Sequence, residues 1–185
     1  MKALCRRFFI IALGLAWLAA ISGCGPGVGG TGTGATPDPA AFGATRTSVC
    51  TAPFAAALNC PVGAGTPGTV SELTGTAPVR LADAATGGNV SATVDGNGVE
   101  FLSRCQGLQF VGTWGVLASG EGRFFGAWVA SAGADALPAS MSVAIDAAQP
   151  NDLRMTLFDG AGQVVFGPAT LQPLVAPPTL PAVCP

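Results

Sequence analysis

From about Val79 onward, apolar and polar positions alternate with a period of two, in strand-length runs separated by turn-forming residues. Val90, Ala92 and Val94 alternate with Ser91, Thr93 and Asp95, and Asp95-Gly96-Asn97-Gly98 then turns the chain into Val99-Glu100-Phe101-Leu102, a β-hairpin pattern. A second hairpin follows. Its first strand places Phe110, Gly112, Trp114 and Val116 on one face, and Ser119-Gly120-Glu121-Gly122 forms the turn. The returning strand places Phe124, Gly126, Trp128 and Ala130 on one face. Met141-Val143-Ile145 and Leu153-Met155-Leu157 flank Ala147-Ala148-Gln149-Pro150-Asn151, and Asp159-Gly160-Ala161-Gly162 leads into Gln163-Val164-Val165-Phe166. The spacing predicts an all-β meander of about seven or eight strands, with no sustained helical period.

A chain of this length must hide its strand edges, by closing into a barrel or by packing two sheets together. Glycines at 112, 115 and 126 lie inside the aromatic strands, where a missing side chain lets a sheet coil tightly. The expectation is a small antiparallel meander barrel. The alternative is an immunoglobulin-like β-sandwich, because the stretch from Asp152 to Val165 resembles hairpins of bacterial immunoglobulin-like modules.

The N-terminal pattern is different. Lys2, Arg6 and Arg7 precede an apolar run from Phe8 to Ile21, and small residues close it, the three-part layout of an export signal. Fourteen apolar residues fall short of the roughly 20 that an α-helix needs to cross a membrane. Ile21-Ser22-Gly23-Cys24 resembles the lipobox of bacterial lipoproteins. The resemblance implies a signal peptide over 1–23, cleavage before Cys24, a diacylglyceryl thioether on its sulfur and acylation, including palmitate, of its amino group. More than one acyl chain gives stable membrane attachment. Arg6-Arg7 followed by Phe8-Phe9-Ile10 also resembles a twin-arginine export signal. Gly25 stands where the enteric-type sorting rule places Asp for inner-membrane retention, which favours the outer membrane.

Behind Cys24, residues 24–41 are dominated by Gly, Thr, Pro and Ala and predict a disordered tether, leaving 42–185 as one β domain. After cleavage the chain keeps five arginines, no lysine and ten carboxylates, a formal charge of −5. That balance argues against nucleic acid, whose recognition begins with a basic face, and against a polybasic lipid contact. Attachment to the membrane would run through the N-terminal lipid alone.

Four cysteines, Cys50, Cys60, Cys105 and Cys184, remain for an oxidising compartment. Three pairings are open. Cys50 with Cys60 is favoured, because residues 53–59 can make a helical turn that brings them near each other. Cys105 with Cys184 would tie the Pro-rich tail to a central strand. Neither a histidine nor CxxC spacing is present, so no metal centre and no cofactor is expected.

Gly112-Thr113-Trp114 and Gly126-Ala127-Trp128 resemble the Gly-x-Trp strand signature of lipocalin-type and avidin-type barrels, in which the Trp closes or lines one end. The resemblance implies a ligand pocket edged by Trp114, Trp128, Phe110 and Phe124; the plainer reading makes the same four residues core partners across neighbouring strands. Catalysis is not expected. The mature chain lacks histidine, lysine and tyrosine, which removes most bases and nucleophile activators. Glu100 is a candidate half-buried partner of Arg104, although a solvated strand face is the plainer reading, and Asp95-Gly96-Asn97-Gly98 reads as a turn rather than a calcium loop. The functional expectation is a protein-binding or structural module of the cell envelope. A small-molecule carrier and a periplasmic hydrolase inhibitor, using residues 132–138 as a loop, are the alternatives.

Overall fold

Nine antiparallel strands build one sheet that closes on itself, as seen in a computed structural model that describes residues 38–58, 60, 77–84, 88–146, 148–174 and 184. In chain order they are β1 (Ala44–Arg46), β2 (Val79–Ala82), β3 (Val90–Asp95), β4 (Gly98–Ser103), β5 (Leu108–Leu117), β6 (Gly122–Val129), β7 (Leu137–Asp146), β8 (Gln149–Asp159) and β9 (Val164–Pro173). Strands β2 to β9 form an eight-stranded barrel in meander order, and β2 meets β9 to close it. The closing seam is short. Leu81 faces Pro173 and Ala82 faces Gln172, and the Leu174 N–H extends the seam by donating to the Arg80 carbonyl at 2.8 Å. β1 is the extra strand: it takes the flank of β5 beyond the end of β4, with Thr45 opposite Val116. The sandwich alternative is thereby set aside, because full closure leaves no second sheet to pack.

The interior is arranged in rows that run around the barrel. One joins Leu81, Ala92, Phe101, Phe110, Trp128 and Leu137 across six strands. The next joins Val79, Val94, Val99, Gly112, Gly126 and Ala139 and is built of smaller residues. A third joins Trp114, Phe124, Met141, Leu157 and Phe166. The small row makes room for the aromatic rows. A Cβ on Gly112 would sit 2.9 Å from Phe110 Cε1, and one on Gly126 would lie 2.6 Å from the Gly112 Cα and collide with the Val111 carbonyl. Eight strands enclose just enough space for side chains to fill, and Phe101, Phe110, Phe124, Leu81, Met141, Leu153, Met155, Leu157 and Leu171 fill it, all fully buried.

Several elements differ from the periodicity. β7 begins four residues before Met141 and β9 runs seven residues past Phe166, while β8 already includes Gln149 and Pro150. The β8–β9 pairing shifts register near Leu157, beside the cis Gly167–Pro168 peptide, and Pro168 has no N–H to donate to the ladder. On β5 the inward face runs Leu108, Phe110, Gly112, Trp114, whereas Val116, assigned to that face from the sequence, is only half-buried. The chain docks on the barrel slightly before Phe42. Residues Pro39–Phe42 form a 3-10 helix capped by the Asp38 carboxylate, with Pro39 buried in the place a Gly115 side chain would occupy and Phe42 stacked 5.3 Å from Phe125. Residues 1–23, where a signal peptide is expected, Cys24 and residues 25–37 lie outside the described residues.

Candidate functional site: the two ends of the barrel

Strand direction sorts the turns into two sets. The β3–β4 and β5–β6 turns lie at one end together with the start of β8, and the β4–β5, β6–β7 and β8–β9 connections lie at the other. These are called the plugged end and the distal end.

The plugged end is filled by the chain's own N-terminal segment. Ser48 caps a short 3-10 turn, Val49–Thr51, by accepting from the Cys50 N–H, and a second turn, Ala55–Leu58, follows. These turns put Val49, Phe54 and Leu58 into the barrel core, each at 2% exposure or less. The Val49 N–H donates to Asn97 Oδ1 at 2.8 Å, and the Cys50–Cys60 disulfide closes the segment's ends. Asn97 belongs to the β3–β4 turn, and its own carbonyl accepts the Trp114 N–H at 2.8 Å, so one buried residue links plug, turn and β5.

Trp114 lies directly beneath the plug. It is 3% exposed, with Phe54 edge-on at 5.2 Å and Phe124 edge-on at 5.2 Å, and its six-membered ring lies where a Gly122 side chain would stand. Its indole Nε1 has no acceptor among the described residues, and neither does the buried Nε1 of Trp128. Buried indole N–H groups usually find a partner, so two in one barrel are notable donors. Trp128 sits nearer the distal end, opposite Phe110 on β5 and Leu137 on β7. The four aromatic residues singled out from the sequence are thus brought into one interior, as the pairs Trp114–Phe124 and Phe110–Trp128.

The distal end carries the β6–β7 loop. Residues 130–135 between β6 and β7 are exposed, and Leu137 at the loop's end is 51% exposed although its register points it along the inner wall. Cys105, in the β4–β5 turn, bonds Cys184 and fixes the tail there. In the same turn the Cys105 N–H donates to Asn89 Oδ1 at 2.7 Å, and Arg104 Nη1 is buried with no partner among the described residues. Glu100 lies on the solvated face, the plainer of its two readings, where it is exposed and accepts from Gln109 Nε2 at 3.0 Å; it makes no pair with Arg104.

On the outer wall, Arg123 pairs with Glu121 at 2.7 Å, donates to Ser140 Oγ at 3.3 Å and lies 4.7 Å over the Phe158 ring. Val164, opposite Phe158, is 58% exposed. Among the described residues no three metal-ligating side chains converge. Comparison with protein families, with characterised proteins and with solved structures finds no match to this chain.

Sequence reasoning missed Asn97 and the plug. Asn in an Asp-Gly-Asn-Gly turn reads as turn chemistry, and its long-range acceptor role leaves no local trace. The apolar spacing of Val49, Ala52, Phe54 and Leu58 around a Cys pair is the signal that was available.

Proposed function

We propose that this chain is a lipid-anchored envelope protein, made with a cleaved signal peptide over 1–23 and acylated on Cys24, that works by binding a protein or as a structural component and not by catalysis. The observation that carries the binding reading is the filled barrel. Core side chains and the plug take up the interior, so contacts with another macromolecule fall to the exposed loops and the outer wall.

The direction of presentation follows from the chain path. The chain reaches the barrel through Pro39–Phe42 on β5 and then runs into the plugged end. Fourteen residue steps separate Cys24 from Asp38, a maximum reach of about 49 Å. The tether therefore joins on the plug side and leaves residues 130–138 and Leu137 free to face outward. An exposed loop held by a rigid barrel suits recognition of a protein surface, and a secreted hydrolase is one partner class that fits such a loop. The outer membrane is the favoured site of anchoring. A carrier role is supported by the barrel form, but a filled eight-stranded barrel leaves little room for a resident ligand.

The test is site-specific photo-crosslinking in cells, with the crosslinker at position 137 in one variant and at position 119, in the plug-side β5–β6 turn, in another. A discrete adduct from 137 and none from 119 supports the reading. Equal adducts from both, or none from either, would remove it.

A further inference from the structure

Residues 48–58 occupy the space a ligand would take in an open barrel: three apolar side chains, Val49, Phe54 and Leu58, enter the core and one of them lies against an indole whose N–H has no acceptor among the described residues. The segment is not continuous with the strand ladder. Its fastenings include the Val49–Asn97 hydrogen bond, contacts of Ser48 and of its core side chains, and the Cys50–Cys60 disulfide. We propose that residues 48–58, bridged to Cys60, are a redox-released plug over a latent site for an apolar molecule carrying one hydrogen-bond acceptor, with the Trp114 N–H as the donor that reads it.

The plug and a ligand would cover the same rows of the interior, around Trp114 and Phe124, so each excludes the other. The disulfide favours the plug because it holds a ten-residue stretch as a closed loop and limits the freedom gained on undocking. Cys50 is buried, whereas Cys60 is half-buried and gives an attacking thiolate its access. Reduction by an external dithiol balances simply. The reductant's two thiols become its disulfide, the Cys50–Cys60 bond breaks, and two electrons and two protons pass to give two cysteine thiols. Freed of the closed loop, the undocked segment gains entropy and the plugged state loses ground to the open one. An ester or ketone oxygen on an apolar chain would then satisfy Trp114 Nε1, a bond the aromatic edge of Phe54 does not offer. The proposal does not rest on the lipid anchor or on a protein partner.

The test uses the full chain carrying Cys105→Ser and Cys184→Ser, so that one bridge responds to reductant. Amide hydrogen exchange reads the plug at Val49 and the barrel at β5 to β8. Binding is followed by tryptophan fluorescence with methyl octanoate, and with octane as the probe lacking an acceptor. After reduction, Val49 is expected to lose protection while the strands keep theirs, and methyl octanoate to bind saturably only in the reduced protein. Trp114→Phe should weaken that binding about fivefold and leave octane unaffected. The double variant Cys50→Ser, Cys60→Ser should behave as the reduced protein without any reductant. Unchanged protection at Val49, equal binding in both redox states, or loss of strand protection together with Val49 would each overturn the proposal, the last by making the bridge a folding staple.

Discussion

The backbone N–H of Val49 donates to the side-chain oxygen of Asn97 at 2.8 Å across 48 residues of sequence, and both residues are buried. This bond joins the N-terminal plug to the β3–β4 turn. Removing the acceptor strands a buried donor, which costs its desolvation in full. Asn97→Ala is expected to destabilise by about 2 kcal/mol, seen as a lower urea midpoint with an unchanged slope. A midpoint equal to that of the parent would mean the plug relaxes to find another acceptor.

Gly126 and Gly120 make a paired prediction. A Cβ at Gly126 meets backbone on the facing strand, whereas at Gly120, with φ +86°, it meets nothing within 4 Å. Gly126→Ala should cost more than about 3 kcal/mol, because backbone in a closed barrel has nowhere to move. Gly120→Ala should cost about 1 kcal/mol, from the left-handed backbone alone. Chemical denaturation of both variants checks the order, and a milder effect at 126 than at 120 would refute the glycine-row packing.

Leu157 and Leu137 separate core from surface. Leu157 is fully buried and Leu137 is half-exposed. Leu157→Ala is expected to lose about 2–5 kcal/mol, and Leu137→Asp less than about 1 kcal/mol. If the distal end is the recognition surface, Leu137→Asp also abolishes the adduct formed from a crosslinker placed elsewhere in residues 130–136. A variant that unfolds on Leu137→Asp would show that this residue serves the core instead.

The two disulfides should differ in worth. The Cys105–Cys184 bridge closes 79 residues and the Cys50–Cys60 bridge closes 10. On the chain-entropy model their removal by paired Ser substitutions costs roughly 4 and 3 kcal/mol respectively. Equilibrium unfolding of the two double variants measures both. A larger loss from the short bridge would point to native contacts of the plug, and not loop closure, as the dominant effect.

The anchor has a direct chemical test. Cys24→Ser should abolish incorporation of labelled palmitate and shift the protein out of the membrane fraction. Label entering the variant at the parent level would refute lipidation at this residue.

Particular residues show how far local reading reached. The Val90–Val94 and Val99–Phe101 alternation and the Asp95–Gly98 turn appear as the β3–β4 hairpin, and the Phe110, Trp114, Phe124 and Trp128 positions all face inward. The two bridges favoured from cysteine placement are the two that form. Glu100 and Arg104 do not pair, because Arg104 falls in the turn after β4 and leaves the strand face that Glu100 occupies. β1 escaped notice because three residues carry too little periodicity to stand out.

The sequence by itself determined the strand period, the hairpin turns, the small residues that let aromatic rows nest, and the cysteine complement. Each depends on groups within a few residues of one another. Only the tertiary structure decided that β2 meets β9, that the plug takes the barrel's end, and that Asn97 is its latch. Closure depends on twist accumulated over eight strands, and the latch joins positions 48 residues apart, so neither leaves a pattern that local spacing can carry.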